Sequence, residues 1–584
     1  METNDLNTTG SVLVSPGDAN ETKEDSIRER IALLYPSEQA GAIARQLIAL
    51  AREYKQRIIS RASGWSQRDA LLITYADTIQ SANRPPLQAL DRFLSANIGD
   101  AISFVHLLPF FPFSSDDGFS IIDYRQVRPE LGAWTDVVKL ASHYRIVADA
   151  VVNHASQHSR YVRGHCAGDP DYMDFVVRLD PKTDTSGVLR TRNLPLLHPF
   201  ATKRGQEYFW TTFSADQVDL NFKNPKVLVE MTDVLLFYVL NGASVLRLDA
   251  IPYLWKQIGT SCAHLPQTHE IIKLWRDIID IAAPHVLLLT ETNVPHDENI
   301  SYFGNAGDEA QIIYNFSLPP LLLWSLHSGN ASVLTDWART LEYIGPNATY
   351  LNITATHDGI GMRPTEGILT EAQRAELCDL ARKNGGDITG KFNSDGSISV
   401  YELNITYFDA INNPSGDTPL STQIDRFVLS QAVPMALMGI PAFYLPSLLG
   451  SRNATDLVKA TGRPRSINRP SFDTAALDSE LADAASLRPA VLSRITQLLR
   501  IRATLPAFHP DAAQQILDQG AALFLVRRQS RDARQTIVAA HNVTGTPATL
   551  TLPGGPWRDA ISGGTATGQT TLPAYAVRWF VSQE

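Results

Sequence analysis

Eight short stretches of the chain are almost continuously apolar and rich in β-branched residues. They are LLITYAD (71–77), ISFVHLLPF (102–110), YRIVADAVVNH (144–154), ASVLRLDA (243–250), HVLLLTETN (285–293), AQIIYNF (310–316), TYLNITATHDG (349–359) and IPAFYL (440–445). Runs without polar alternation suit strands covered on both faces, as in a parallel sheet. Helical apolar spacing fills several of the gaps, as in PKVLVEMTDVLLFYVLNG (225–242) and THEIIKLWRDIIDIAA (268–283). Strands alternating with helices predict an α/β fold, a (β/α)8 TIM barrel, over residues 66–505.

Two gaps are too long for simple crossovers. Residues 155–225 and 360–430 are expected to form inserted lobes, the kind of insertion that builds lids and binding loops. Upstream, IARQLIALAREYKQRII has helical spacing, and Pro36 divides it from a short helix beginning near Ser26. Residues 1 to about 25 are polar and are expected to form a disordered tail, so that residues 1–65 make a tail and a helical extension. After residue 510 the pattern changes to ALFLVRRQ, TIVAAHN, ATLTLP and AVRWFV between Gly and Pro turns, which predicts a C-terminal antiparallel β domain over 510–584.

Composition narrows the classes of function. The chain has 584 residues, 44% of them hydrophobic and 19% charged, with a formal net charge of −10. Its basic residues are spread out, so no nucleic-acid partner is expected. The three cysteines, Cys166, Cys262 and Cys378, have neither disulfide nor zinc spacing. The amino terminus METNDLNTTG is not a signal peptide, and no apolar run is long enough to span a bilayer. A soluble, cytoplasmic protein with no membrane partner is expected.

The chemistry lies where the apolar runs end. Barrel enzymes carry catalytic groups at the C-terminal ends of strands. Here those ends hold Asp77; Asp149, Asn153 and His154; Arg247 and Asp249; Glu291 and Asn293; His357 and Asp358. Residues two apart on a strand share a face, so Arg247 and Asp249 point together into the barrel and Arg247 is expected to keep Asp249 ionised. Three carboxylates at one mouth suit glycosidic chemistry. A retaining mechanism uses an ionised nucleophile and a protonated acid about 5–5.5 Å apart. Asp249 is the better nucleophile. Glu291, with no cation close in sequence, is the better acid/base, and Asp358 is placed to hold sugar hydroxyls.

DAVVNH (149–154), VLRLDA (245–250), LLTETN (288–293) and ATHDG (355–359) resemble the four signature regions of the α-amylase superfamily. HLLPFFPFSSDDGFSIIDY (106–124), FSADQVDLN (213–221), IGTSC (258–262), LGSRN (449–453) and INR (467–469) are similar to its sucrose phosphorylase branch. Within that branch, TRNLPLL (191–197), ETNVPHDENISYFG (291–304) and YELNITYFDA (401–410) look most like the phosphorylases of glucosylglycerate. The resemblance implies a glycosyltransferase-type phosphorylase. Asp249 would be the nucleophile, Glu291 the acid/base and Asp358 the transition-state stabiliser. Asp116, His154, Arg247, His357, Arg469 and Gln217 would form the glucose site. The sucrose enzymes carry a histidine two positions after the acid/base, where this chain has Asn293, which points to an acceptor other than fructose. Arg192 matches an arginine that meets phosphate, with His296, Lys256 and Arg363 as other possible cations, and Tyr407 is expected to help close the acceptor site. Some superfamily members bind calcium through the counterpart of Asn153; this branch implies no metal and no cofactor, only inorganic phosphate as co-substrate, in a monomer or homodimer.

Three other readings share these residues. One is a sucrose phosphorylase or a variant using glucosylglycerol or a phosphorylated sucrose. Another is an α-glucosidase using water. The last is a catalytically silent barrel serving as a partner subunit, which would lack one of the acids; all three are present.

Overall fold

A computed structural model describes residues 16–190, 192, 194–305, 307–392 and 397–582. The eight apolar stretches form the strands β1 (Leu71–Thr74), β2 (Phe104–Leu107), β3 (Arg145–Ala150), β4 (Ala243–Leu248), β5 (Leu287–Thr290), β6 (Ile312–Tyr314), β7 (Thr349–Asn352) and β8 (Ile440–Tyr444). Each pairs in parallel with its neighbours in sequence, and β8 closes on β1. Every residue of these strands is buried except Arg145, which is half-buried. The barrel interior lies on one side and the helices on the other, which is why the runs do not alternate.

Four helices matter to the site. Two N-terminal helices, α1 (Pro16–Leu34) and α2 (Ser37–Arg57), pack on α3 (Pro225–Leu240), which leads into β4, and on α4 (Pro266–Ala282), which leads out of it. Asn224 caps α3 by accepting from the Lys226 amide, with Pro225 at the first helical position. Pro36 divides α1 from α2 as expected, but α1 begins at Pro16 and not near Ser26. The polar face that reads as a tail is partnered: Lys23, Ser26 and Arg30 all reach the nearly buried Asp277 of α4, at 2.7, 2.7 and 2.9 Å. Ile27, Ile31 and Leu34 bury the adjacent stripe. Residues 1–15 of the expected tail lie outside the described residues.

Both insertions leave the C-terminal end of the barrel. The one after β3 pairs His154–Ser156 with Gln217–Asp219 and carries the hairpin Leu197–Thr202/Gly205–Trp210. The one after β7 is a three-stranded sheet of Ile360–Gly361, Ile398–Asn404 and Asp387–Phe392. A six-stranded antiparallel sheet, from Ala513–Leu517 to Val577–Ser582, follows the barrel.

At the opposite, N-terminal end of the barrel, buried Arg502 donates to the carbonyls of Met435, Gln67, Asp69, Gly439 and Phe508 at 2.6–3.3 Å. It ties the lead-ins of β1 and β8 to the chain that enters the C-terminal domain. Removing it strands buried acceptors, so Arg502→Met should lower the unfolding free energy by about 3 kcal/mol. Urea titration should show this as a lower midpoint, with turnover of the folded protein unchanged.

Candidate active site

The floor of the site is set by strand register. Asp149 on β3 stands opposite Arg247 on β4, so their side chains enter the barrel together. Arg247 Nη1 donates to Asp149 Oδ1 at 2.5 Å and to Asp249 Oδ1 at 2.7 Å. His106 on β2 contacts the other oxygen of Asp149 at 2.8 Å. Ala250 then takes a left-handed backbone, φ 48°, and its N–H donates to Glu291 Oε2 at 3.1 Å. That turn brings the Glu291 carboxyl beside the residue that follows Asp249.

A second group converges from the end of β7. Asp358 Oδ1 receives Arg465 at 2.5 Å and Arg469 at 3.3 Å. Arg465 is held from behind by a two-pronged contact with buried Glu402, at 2.7 and 2.8 Å. The His357 ring stacks on Phe119, centroids 5.0 Å apart.

The SSDDGF turn supplies the third wall. Asp116 and Asp117 are both left-handed, φ 53° and 50°, and Gly118 has φ 115°. A Cβ on Gly118 would lie 2.8 Å from the Pro109 carbonyl, so the turn requires glycine. Asp116 faces inward and accepts from Gln217 Nε2 at 3.1 Å, while Asp117 faces outward to Arg469 and Arg463 at 2.5 and 2.7 Å. His154 Nε2 is 2.8 Å from the Phe119 carbonyl.

Of these groups, Asp249, Ala250, Glu291, His357, Asp358, Arg465, Asp116, Phe119, His154 and Gln217 line one cavity. Its remaining wall is Phe213, Pro252, Tyr253, Asn293, Val294, Arg192 and Tyr401. The Arg192 guanidinium lies 5.3 Å over the Tyr401 ring. Asn293 packs on Gly361, where a Cβ would come within 2.7 Å of Oδ1, and that oxygen is buried without a partner among the described residues.

Electrostatics differ among the acids. Burial pushes Asp249 well above the usual carboxylate range; Arg247 opposes the rise and the charge of Glu291 adds to it. The expectation that Arg247 keeps Asp249 ionised is therefore corrected: burial outweighs the guanidinium, whose nitrogen is also shared with Asp149. Burial also raises Glu291. Two buried carboxyls this close titrate as a pair. A proton on Glu291 removes its repulsion and leaves Asp249 its contact with Arg247. Asp358 is the reverse case: burial works against its charge, but Arg465, His357 and Arg469 hold it far below the usual range. Asp116 is also lowered, burial being outweighed by Arg465, Arg192 and Arg469. Burial keeps His357 neutral, its pKa lowered to about 3.

Of the residues named from sequence, Asp116, His154, Arg192, Gln217, Asp249, Glu291, Asn293, His357 and Asp358 line this cavity, and Arg247 lies directly beneath. Arg469 stands behind Asp358 and faces an adjoining cavity. Tyr407 is a correction. It is fully buried in the second lobe and its hydroxyl donates to the Pro319 carbonyl, so it cannot close the site. Tyr401, in the same motif and on the strand Ile398–Asn404, takes that place. Asp77 pairs with Arg128 beside a separate cavity. Arg363 is tied to Glu298, and His296 is outside the lining. Lys256 is also diverted: its buried ammonium bonds Asp219 Oδ2 at 2.5 Å and Asn153 Oδ1 at 2.8 Å. Sequence reasoning missed Phe119, Tyr253, Tyr401, Glu402 and Arg465. Arg465 had a signal, one helical turn before Arg469 in RPRSINR.

Residues 99–354 match the family model of the α-amylase catalytic domain. The chain is 44% identical over 556 residues to a glucosylglycerate phosphorylase of Allomeiothermus silvanus, covering 95% of this chain and 98% of that protein. It is 40% identical over 531 residues to one of Escherichia coli, covering 90% and 94%. Among solved structures, the crystal structure of sucrose 6F-phosphate phosphorylase from Thermoanaerobacter thermosaccharolyticum superposes with a TM-score of 0.71 at 25% identity, over 83% of this chain and 95% of that one.

Proposed function

This chain belongs to the glucosylglycerate phosphorylase family of the α-amylase superfamily and is an enzyme of the glycoside phosphorylase class, and on that premise we propose that it catalyses reversible phosphorolysis of 2-O-α-D-glucosyl-D-glycerate with retention of configuration. One observation carries the mechanism. Arg247 grips Asp249 directly, whereas Glu291 beside it receives only the Ala250 N–H among the described residues. Asp249 attacks the anomeric carbon as Glu291 gives its proton to the departing glycerate oxygen. A β-glucosyl ester forms. Glycerate leaves, a phosphate oxygen attacks the same carbon from the vacated side as its proton passes to Glu291, and Asp249 departs as the carboxylate, giving α-D-glucose 1-phosphate. Asp116, Asp358 and His357 hold the glucose hydroxyls.

The acceptor assignment rests on the opposite wall. Of the two arginines lining the cavity, Arg465 is committed to Asp358 and Glu402, while Arg192 has no carboxylate partner among the described residues. Arg192 is the cation for the glycerate carboxylate, and for phosphate after glycerate has gone. Asn293 offers amide donors and an unpartnered oxygen to the remaining glycerate hydroxyl. We read the reaction as metal-free, since the ammonium of Lys256 already occupies the Asn153 amide oxygen and the Asp219 carboxylate.

The test is phosphate release from α-glucose 1-phosphate with D-glycerate, D-fructose or glycerol supplied separately. Glycerate should give the fastest release. Release as fast with fructose would sink the glycerate assignment, and free glucose formed without any acceptor at a comparable rate would make the enzyme a hydrolase. Asn293→His should change the glycerate-to-fructose ratio of kcat/KM by at least about tenfold.

A further inference from the structure

We infer that the N-terminal helical pair braces the nucleophile loop, and that Tyr35, in the turn between α1 and α2, is its positioning residue. Tyr35 is buried and its hydroxyl donates to the Phe222 carbonyl at 2.7 Å. Phe222 lies where the first inserted lobe returns to the barrel, just ahead of α3. The Tyr35 ring also meets Trp255 edge-on, centroids 6.4 Å apart. Trp255 lies on the segment that leaves Asp249, and its N–H reaches Thr268 in the first turn of α4 at 3.3 Å. One side chain therefore touches both segments that frame the glucose end of the cavity.

The contacts continue inward. Lys256, next to Trp255, bonds Asn153 and Asp219. Asn153 precedes His154, and Asp219 shares its short strand with Gln217, so both cavity residues hang on this joint. Between Asp249 and α4 the chain forms a single short regular element, the 3-10 turn Ile251–Tyr253. Such a segment takes its geometry from what packs on it. Tyr35 packs on it from outside the barrel through Trp255, and the helices seated on α3 and α4 hold Tyr35 there, α1 with ion pairs to Asp277 and Glu270. A displacement of about 1 Å in a reacting group costs on the order of 10²-fold in rate. The acceptor wall, Arg192, Asn293 and Tyr401, is not part of this joint, so a loosened brace slows every acceptor alike.

The inference rests on the proposed reaction for its assay. In the full-length enzyme, assayed well below the melting temperature of each variant, Tyr35→Ala should lower kcat about 10–100-fold with glycerate, and equally with the poorer acceptors. Tyr35→Phe, which removes only the bond to Phe222, should lower kcat about threefold or more, on the same grounds. Arg30→Met, which removes the pair to Glu270 and one of three α1 contacts to Asp277 without touching the joint, should lower the melting temperature yet keep kcat within about twofold. The brace is overturned if folded Tyr35→Ala keeps kcat within that range, or if Arg30→Met loses as much kcat as Tyr35→Ala. If Tyr35→Ala does not fold, Tyr35→Phe decides: unchanged kcat overturns the inference. A parent enzyme without phosphate-dependent turnover would overturn the proposed reaction instead, and the same variants are then compared on aryl α-glucoside cleavage.

Discussion

Asp249→Asn is expected to cut turnover with every acceptor by at least about 10⁴-fold, because in the proposed mechanism Asp249 is the group that forms the glucosyl ester. The loss should not come from misfolding. Arg247 keeps its contact with Asp149 at 2.5 Å, so no buried cation is orphaned. The sign of the stability effect follows from burial. A carboxyl whose folded-state pKa lies above its unfolded value binds its proton more tightly when folded. Its contribution is favourable at low pH and is lost as pH rises through the shifted range. Burial raises Asp249 in this way, so at neutral pH the ionised native residue costs stability that asparagine does not. Calorimetry near pH 7 should find the variant melting at or above the parent temperature, while its activity is absent. Substantial activity in Asp249→Asn would refute the nucleophile. A large drop in melting temperature would refute the electrostatic account of the floor.

Glu291→Gln should cost about 10²–10⁴-fold in kcat with glucosylglycerate, the range expected for a lost general acid. The size should depend on the leaving group. An aryl α-glucoside departs without a proton, so formation of its glucosyl ester should fall far less, and the difference isolates the acid role. The pH profile gives a second readout. The acid must carry its proton to act, and burial raises the pKa of Glu291, so the glucosylation rate should fall as pH rises through that raised value. Glutamine has no proton to lose there, and the basic limb should flatten. Persistence of the limb in Glu291→Gln would assign it to another group. Equal losses with both kinds of leaving group would remove Glu291 from the acid role.

The barrel was legible because of what each strand must bury. LLIT, FVHL and LLLT are apolar on both faces, and only a strand between a packed interior and covering helices asks for that. The same property exposed the candidate acids. In VLRLDA the polar residues alternate with leucines, and period-two geometry sends Arg247 and Asp249 inward without further information. The lobes were legible as lengths, since a crossover does not need some seventy residues.

What sequence left open depends on residues far apart in the chain. Tyr401 and Tyr407 stand in one motif, and only the packing of the second lobe turns the first into the cavity and buries the second. Lys256 is a free cation on paper; Asn153 and Asp219 claim it once the first lobe folds back. Arg247 and Asp249 are a pair in sequence, but Asp149 on the neighbouring strand divides the guanidinium, and burial then prevails at Asp249. By itself the sequence determined the (β/α)8 barrel and which strand ends carry the acids, because local periodicity and burial decide those. Tertiary structure decided which cations remain available and how far each carboxyl is pushed from its usual range, because charge interactions depend on distances in space that spacing along the chain does not encode.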